Sequence, residues 1–120
     1  MANEINLTLS LAATKNGTTL QHNLSGVFTM TGDDMIANTQ LVGTSNEAIV
    51  LGDVTIGGFV AFKNLDSTNY VELFTDSGNA QPFAKLLAGE PMILKSHPSA
   101  TYYARANTAA VRLLVAAIEL

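Results

Sequence analysis

Residues 57–65 read GGFVAFKNL and residues 70–74 read YVELF, with the turn-forming DSTN of residues 66–69 between them. Short apolar runs bounded by Gly, Asn, Asp and Ser indicate β-strands joined by turns. Two more runs repeat the pattern: residues 83–87 (FAKLL) and 92–94 (MIL) are joined through the AGEP of residues 88–91. This half of the chain therefore predicts a β-rich scaffold with almost no reactive side chain between its strands.

The N-terminal half continues the β pattern. Four aliphatic residues alternate with polar ones and predict one face of an opening strand: Ile5, Leu7, Leu9 and Leu11. Lys15-Asn16-Gly17 predicts a turn into a second strand near residues 19–24, because Asn and Gly tolerate positive φ. Another strand is expected over residues 27–31.

The middle of the chain is less regular. Residues 35–42 have a polar centre and predict an exposed edge strand or a long connection, and residues 47–51 (EAIVL) predict a short strand. Turn signals recur every 8 to 12 residues or so, which is typical of a β-sandwich or barrel.

The C-terminal segment allows two interpretations. Val111, Leu114, Val115 and Ile118 have helical spacing behind an Asn107 or Thr108 cap. The apolar run of residues 110–118 also fits a central strand buried on both faces. We favour the strand, because the preceding strands need a partner to complete the sheet. The predicted fold is all-β: a single-domain antiparallel β-sandwich over residues 1–120, jelly-roll-like or related.

Composition points to an assembly. Charged residues make up 13% of the chain, against roughly 25% in a typical soluble domain. Thr, Asn and Ser together number 30, nearly twice the 16 charged residues. With 48% hydrophobic residues, a small chain carries more apolar surface than one monomer hides, which favours self-association or docking on a partner. The absence of cysteine excludes disulfides and thiolate chemistry.

Charge and the N-terminal sequence exclude other classes of partner. The net charge is −4, and the six basic residues are scattered rather than clustered. A nucleic-acid groove needs clustered cations, so we expect no binding to DNA or RNA. The start of the chain has no basic segment followed by an apolar core, and no stretch is apolar enough to span a bilayer. We therefore expect no signal peptide and no membrane partner.

The residues that catalysis or metal binding would use are few. His22 and His97 have no zinc or triad spacing, and we interpret them as strand and turn residues. Asp33 and Asp34, with Asp53, offer carboxylates for calcium or for glycoside hydrolysis, but adjacent aspartates after a glycine more often serve a turn. We predict no catalytic residue and no metal ligand.

Cofactor and sugar sites find little support in the pattern. The glycines follow neither the dinucleotide nor the phosphate-loop motif, so no cofactor is expected. Tyr102, Tyr103 and Arg105 offer a stacking platform for a sugar. Because neighbouring strand residues point in opposite directions, we favour one tyrosine in the core and the other exposed. A carbohydrate-binding module stays an alternative, and the chain is expected not to be an enzyme.

Three segments carry a resemblance: GFVAFKNLDSTNYVEL, PFAKLLAGEPMIL and ATYYARANTAAVRLLVAAIE. They resemble small structural proteins of tailed bacteriophage particles, and the resemblance covers roughly the C-terminal half. Carried over, one hairpin is shaped by Asn64, Asp66 and Asn69, and a second by Gly89, Glu90 and Pro91. The strand that follows contains Tyr103, Ala104 and Ala106.

The resemblance implies a virion component made in the bacterial host cytoplasm. A capsid decoration or cement protein that stabilises the assembled head is the favoured role, with a tail or neck component as the alternative. It also implies a homo-oligomer, with a trimer favoured, whose partners are the major capsid protein or other virion proteins.

Overall fold

A computed structural model describes residues 3–54, 57–78 and 80–119. The described chain contains twelve strands: β1 (Ile5–Leu7), β2 (Ser10–Lys15), β3 (Thr18–Asn23), β4 (Gly26–Phe28), β5 (Met35–Val42), β6 (Glu47–Ala48), β7 (Gly57–Asn64), β8 (Val71–Phe74), β9 (Pro82–Leu86), β10 (Pro91–Lys95), β11 (Tyr103–Ala106) and β12 (Val111–Glu119). They form two compact units, Met1–Thr31 and Gly32–Leu120. The single domain over residues 1–120 stays a prediction.

The second unit is a β-sandwich of two four-stranded sheets. Sheet I has the order β10-β7-β12-β5 and sheet II the order β6-β11-β8-β9, and every pair of neighbours is antiparallel. The predicted all-β antiparallel sandwich is confirmed. β5 lies at the edge of sheet I, so the edge strand is the correct one of the two interpretations for residues 35–42.

The core lies between the two sheets and takes alternate residues from each strand. Sheet I contributes Val42, Val60, Phe62, Val111, Leu113, Val115 and Ala117. Sheet II contributes Val71, Leu73, Leu86, Ala104 and Ala106. This period of two follows from the pleat, which points successive side chains to opposite sides of a sheet.

The C-terminal segment is a strand, as favoured. β12 lies between β7 and β5 and pairs with both along most of its length. Only its inward side is fully buried; its outward residues are half-buried or exposed. The expectation of burial on both faces is therefore wrong, because no third layer of described strands in this unit packs on the outside of sheet I.

The two hairpins expected at residues 64–69 and 89–91 are corners instead. β7 belongs to sheet I and β8 to sheet II, while β9 belongs to sheet II and β10 to sheet I. Each turn therefore carries the chain from one sheet to the other. Local turn chemistry is satisfied equally well in a hairpin and in a corner, because it does not fix the sheet that the next strand joins.

Asn64 joins the two corners. Its side chain is fully buried, and Nδ2 donates to the carbonyls of Asn69 (2.8 Å) and Leu86 (3.0 Å). Its Oδ1 accepts from the N–H of Asp66 at 2.8 Å. Its backbone N–H donates to the carbonyl of Glu90, and its carbonyl accepts from the N–H of Gly89, both at 3.0 Å. One buried amide thus ties together loops that are far apart in sequence.

Each corner also has its own local stabilisation. Asp66 Oδ2 accepts from the N–H groups of Asn69 (2.7 Å) and Thr68 (2.9 Å), and these bonds lower the pKa of the Asp66 carboxyl. At the other corner, Glu90 Oε1 accepts from the N–H of Leu87 at 2.7 Å, and Gly89 has a φ of 82°. Glycine adopts this left-handed conformation without steric cost.

The first unit consists of two antiparallel ribbons, β1 with β4 and β2 with β3. Asn16 and Gly17 form the predicted turn between β2 and β3, with φ values of 52° and 79°. Positive φ at both residues is typical of a type I′ hairpin turn. The single opening strand predicted through Leu11 is wrong, because the chain changes partner between Leu7 and Ser10.

Candidate interaction surfaces

The two histidines lie in separate, exposed settings. His22 is in β3, directly opposite Leu11. His97 is in a turn, where Nδ1 accepts from the N–H of Ser99 at 3.1 Å and lies 2.8 Å from its hydroxyl oxygen. Both match the strand and turn interpretations.

The aspartates considered for a metal site do come near one another. Burial raises the pKa of the Asp34 carboxyl, and three neighbouring carboxylates raise it further: Glu119, Asp53 and Asp33. The side chain of Glu119 also accepts from the N–H of Asp33 at 3.3 Å. Among the described residues, however, no group of three or more His, Cys, Asp or Glu side chains is placed to hold a metal ion. The group is therefore a site of charge repulsion.

The proposed sugar platform is divided between core and surface. Tyr102 is buried, its hydroxyl donates to Ser96 Oγ at 2.7 Å, and its ring meets that of Phe62 edge-on. Tyr103 is only half-buried. Arg105 Nη2 lies 3.2 Å from a carboxylate oxygen of Glu72. The core position favoured for one tyrosine is confirmed, and Tyr102 does not present a face to a ligand.

The positions carried over from the phage resemblance have structural roles. Asn64, Asp66 and Asn69 bond to one another at the first corner. Gly89, Glu90 and Pro91 lie at the second corner and the start of β10. Tyr103, Ala104 and Ala106 lie in β11, in agreement with the expected strand. The sequence of residues 76–79 (DSGN) also predicts a turn, whose last residue, Asn79, lies outside the described residues.

The β2–β3 hairpin of the first unit presents an exposed apolar surface. All six residues of β2 and all six of β3 are exposed. Directly opposed residues of an antiparallel pair share a face, and the register divides the hairpin into two different sides. The apolar part of one side is the leucine face, which we define as Leu9, Leu11, Ala13, Leu20, His22 and Leu24. Lys15 and Thr18 lie on the same side next to the turn.

The leucine face extends past the ends of the strands. The N–H of Leu24 donates to the carbonyl of Leu9 at 2.8 Å, which continues the ribbon by one more pair. Leu11 and Leu24 each keep 60% of their surface exposed, and Leu20 keeps 46%. The opposite side is polar, and its Thr14 and Thr19 hydroxyl oxygens lie 3.3 Å apart.

This hairpin has the chemistry of a docking element. Two-stranded ribbons are marginally stable in water unless another strand or layer covers them. Burying the exposed half of three leucine side chains stabilises a complex by about 3 kcal/mol. The alternation of residues 5–11 predicted one apolar face, but the second strand's contribution depends on the register set by Asn16-Gly17. That register could have been read from the sequence.

Comparisons of the chain with protein-family models, curated proteins and solved structures find no match. In the described part of the chain, no helix has the length and apolar character needed to cross a bilayer.

Proposed function

We propose that this protein is a non-enzymatic structural component of a tailed bacteriophage particle, which decorates the assembled head and cements it. The observation that carries the proposal is the exposed leucine face of the β2–β3 hairpin. A protein that acts by contact alone needs such a surface and no reactive group. The resemblance of roughly the C-terminal half to phage structural proteins supports a phage virion as the particle in which the contact is made.

The mode of action follows from linkage. A protein that binds the assembled shell and not its separated subunits stabilises the shell by mass action, without any chemical step. The partner is the major capsid protein or another virion protein. Thr, Asn and Ser side chains on the surface suit wide contacts bridged by water, with leucine side chains at their centre.

Particle composition tests the function. Particles of the phage or prophage that encodes the chain are purified on a density gradient, and their proteins are quantified by mass spectrometry. We expect the chain at a fixed ratio to the major capsid protein, and heads without it that open at lower temperature. Particles that lack the chain refute the proposal; a single ring of copies at the head–tail joint supports the neck alternative.

A pair of matched variants tests the hairpin. Leu11→Gln places an amide on the leucine face, and Ala12→Gln places the same amide on the opposite side. Both positions are exposed, so both variants should fold. Leu11→Gln should bind heads about 5- to 150-fold more weakly than Ala12→Gln, since a buried amide without a partner costs about 1–3 kcal/mol. Equal binding by the two variants contradicts the assignment of this face.

The oligomer is tested separately. Light scattering coupled to size exclusion should give three times the 12.6 kDa mass of one chain. A monomer at all concentrations refutes the trimer. Binding of free sugars by that monomer favours the carbohydrate-binding alternative.

A further inference from the structure

The outside of sheet I is a second apolar surface. Residues paired across the sheet share this side, and we call the set the alanine face: Met35, Ala37, Thr39, Leu41, Phe59, Ala61, Lys63, Pro91, Ile93, Lys95, Arg112, Leu114, Ala116 and Ile118. Met35 keeps 66% of its surface exposed, Leu41 57% and Ile93 41%. None of the described strands of the second unit packs on this side.

Three of the four residues in the middle row of the alanine face are alanines. Ala37, Ala116 and Ala61 lie side by side on β5, β12 and β7, and Ile93 on β10 completes the row. Alanine methyl groups project only a short distance from the sheet, so a partner's backbone or flat apolar surface can approach closely. Larger apolar groups border this row at Met35, Ile118 and Leu114.

The charge on the alanine face is mostly positive. Lys63, Lys95 and Arg112 are exposed on it, and they are half of the chain's six basic residues. Among the residues of sheet I, the one carboxylate on this side is that of Glu119, which pairs with Gly57 at the end of the face, beyond a bulge in β12. Glu119, at the end of β12, extends its side chain toward Gly32 and Asp33.

We propose that the alanine face binds a different protein, through an apolar patch on that protein that is bordered by Asp and Glu carboxylates. Apolar side chains at the centre and opposite charges at the rim are the ordinary arrangement of a protein interface. The inference rests on the proposed function, because the different protein is the head protein and the inference states the chemistry of that protein's surface.

Charge argues against a second copy as the occupant. Symmetric contact of two alanine faces would bring three cations of each copy onto one interface, against one carboxylate of each copy, Glu119, which already accepts from the N–H of Asp33. Like charges across an interface oppose association. An acidic rim on another protein instead pairs with all three cations and leaves the apolar centre to exclude water.

The experiment measures binding to heads purified from the encoding phage after deletion of this gene. Wild type, Lys63→Glu and Lys85→Glu are compared; both variants make the same charge change at an exposed strand lysine, but Lys85 lies on sheet II. We expect wild-type affinity to fall about tenfold between about 50 mM and about 500 mM NaCl. Lys63→Glu should weaken binding about tenfold at the lower salt, and Lys85→Glu less than about twofold.

A second pair keeps the test independent of charge. Ala37→Gln enlarges the middle row on the exposed edge strand, and Asn38→Gln enlarges the neighbouring residue of β5. Equal thermal midpoints establish that each variant folds. Ala37→Gln should weaken binding about tenfold, and Asn38→Gln should not.

The outcomes separate the two proposals. Heads that bind wild type and Lys63→Glu equally, at all salt concentrations, overturn the assignment of this face and leave the decoration function intact. Heads that bind no wild-type protein overturn both. Salt-sensitive self-association in the absence of heads, lost in Lys63→Glu, identifies a second copy as the occupant and overturns the choice of partner.

Discussion

Replacing Asn64 by alanine should destabilise the sandwich more than any exposed asparagine replacement. The side chain is fully buried and makes three hydrogen bonds, to the carbonyls of Asn69 and Leu86 and from the N–H of Asp66. At about 1 kcal/mol for each bond, Asn64→Ala should lower the free energy of unfolding by about 3 kcal/mol. Each kcal/mol lowers the Tm by roughly 4 °C in a domain of this size, so the expected loss is about 12 °C.

The replacement by aspartate sharpens the prediction. Asn64→Asp keeps the acceptor for the N–H of Asp66 but loses both donors, and at neutral pH its carboxylate faces the two carbonyl oxygens. A buried charge without a partner costs more than a missing amide. Asn64→Asp should therefore be less stable than Asn64→Ala at neutral pH and should recover part of the difference in acid.

Urea unfolding followed by circular dichroism measures both variants, and Asn38→Ala is the matched control because Asn38 is exposed on β5. The control should stay within about 0.5 kcal/mol of wild type. If Asn64→Ala loses less than about 1 kcal/mol, with an unchanged slope against urea, the two corners do not depend on this amide.

Three further predictions concern single side chains. Burial and neighbouring carboxylates raise the pKa of Asp34 in the folded state, so wild-type stability should rise as the pH falls through that raised value. Asp34→Asn should therefore raise the Tm at pH about 7, by an amount that shrinks in acid. The pKa of Asp66 is lowered in the folded state, so its carboxylate contributes its full stabilisation above the ordinary carboxyl pKa of about 3.9. This stabilisation is lost as the pH falls through the folded-state pKa. Thermal melts of Asp66→Ala and wild type should therefore differ at neutral pH and converge in acid. Tyr102→Phe removes the hydrogen bond to Ser96 and should lower the free energy of unfolding, measured in urea, by about 1 kcal/mol without changing the fold. An unchanged stability would show that this bond contributes nothing.

Local patterns in the sequence predict the strands well. Asn16-Gly17 predicts the β2–β3 hairpin because two consecutive residues with positive φ are typical of the type I′ turn that joins two antiparallel strands. Residues 111–118 could be assigned as a strand because the neighbouring strands required a partner, although their apolar spacing also fits a helix.

The pairing of strands was harder to predict. The turns at Asp66 and Gly89 were expected to close hairpins and instead form corners between the sheets. Both corners depend on Asn64, which bonds to Leu86 and Glu90 at the far end of an intervening pair of strands. No local signal marks such long-range hydrogen bonds.

The two candidate surfaces also differ in how far the sequence predicts them. The leucine face follows from period-two alternation once the turn register is known. The alanine face combines residues from four strands that are distant in sequence, so its apolar centre and its cations, Lys63, Lys95 and Arg112, are brought together only by the sheet order. Basic residues that are scattered in the sequence thus lie on one mostly positive surface.

Hydrogen–deuterium exchange of the β2–β3 hairpin tests most directly the claim that this protein works by being covered in an assembly. The amides of Ser10–Lys15 and Thr18–Asn23 are measured in the free protein and in purified particles. We predict rapid exchange in the free protein, because every residue of both strands is exposed, and strong protection in the particle. Equally rapid exchange in both would contradict the account.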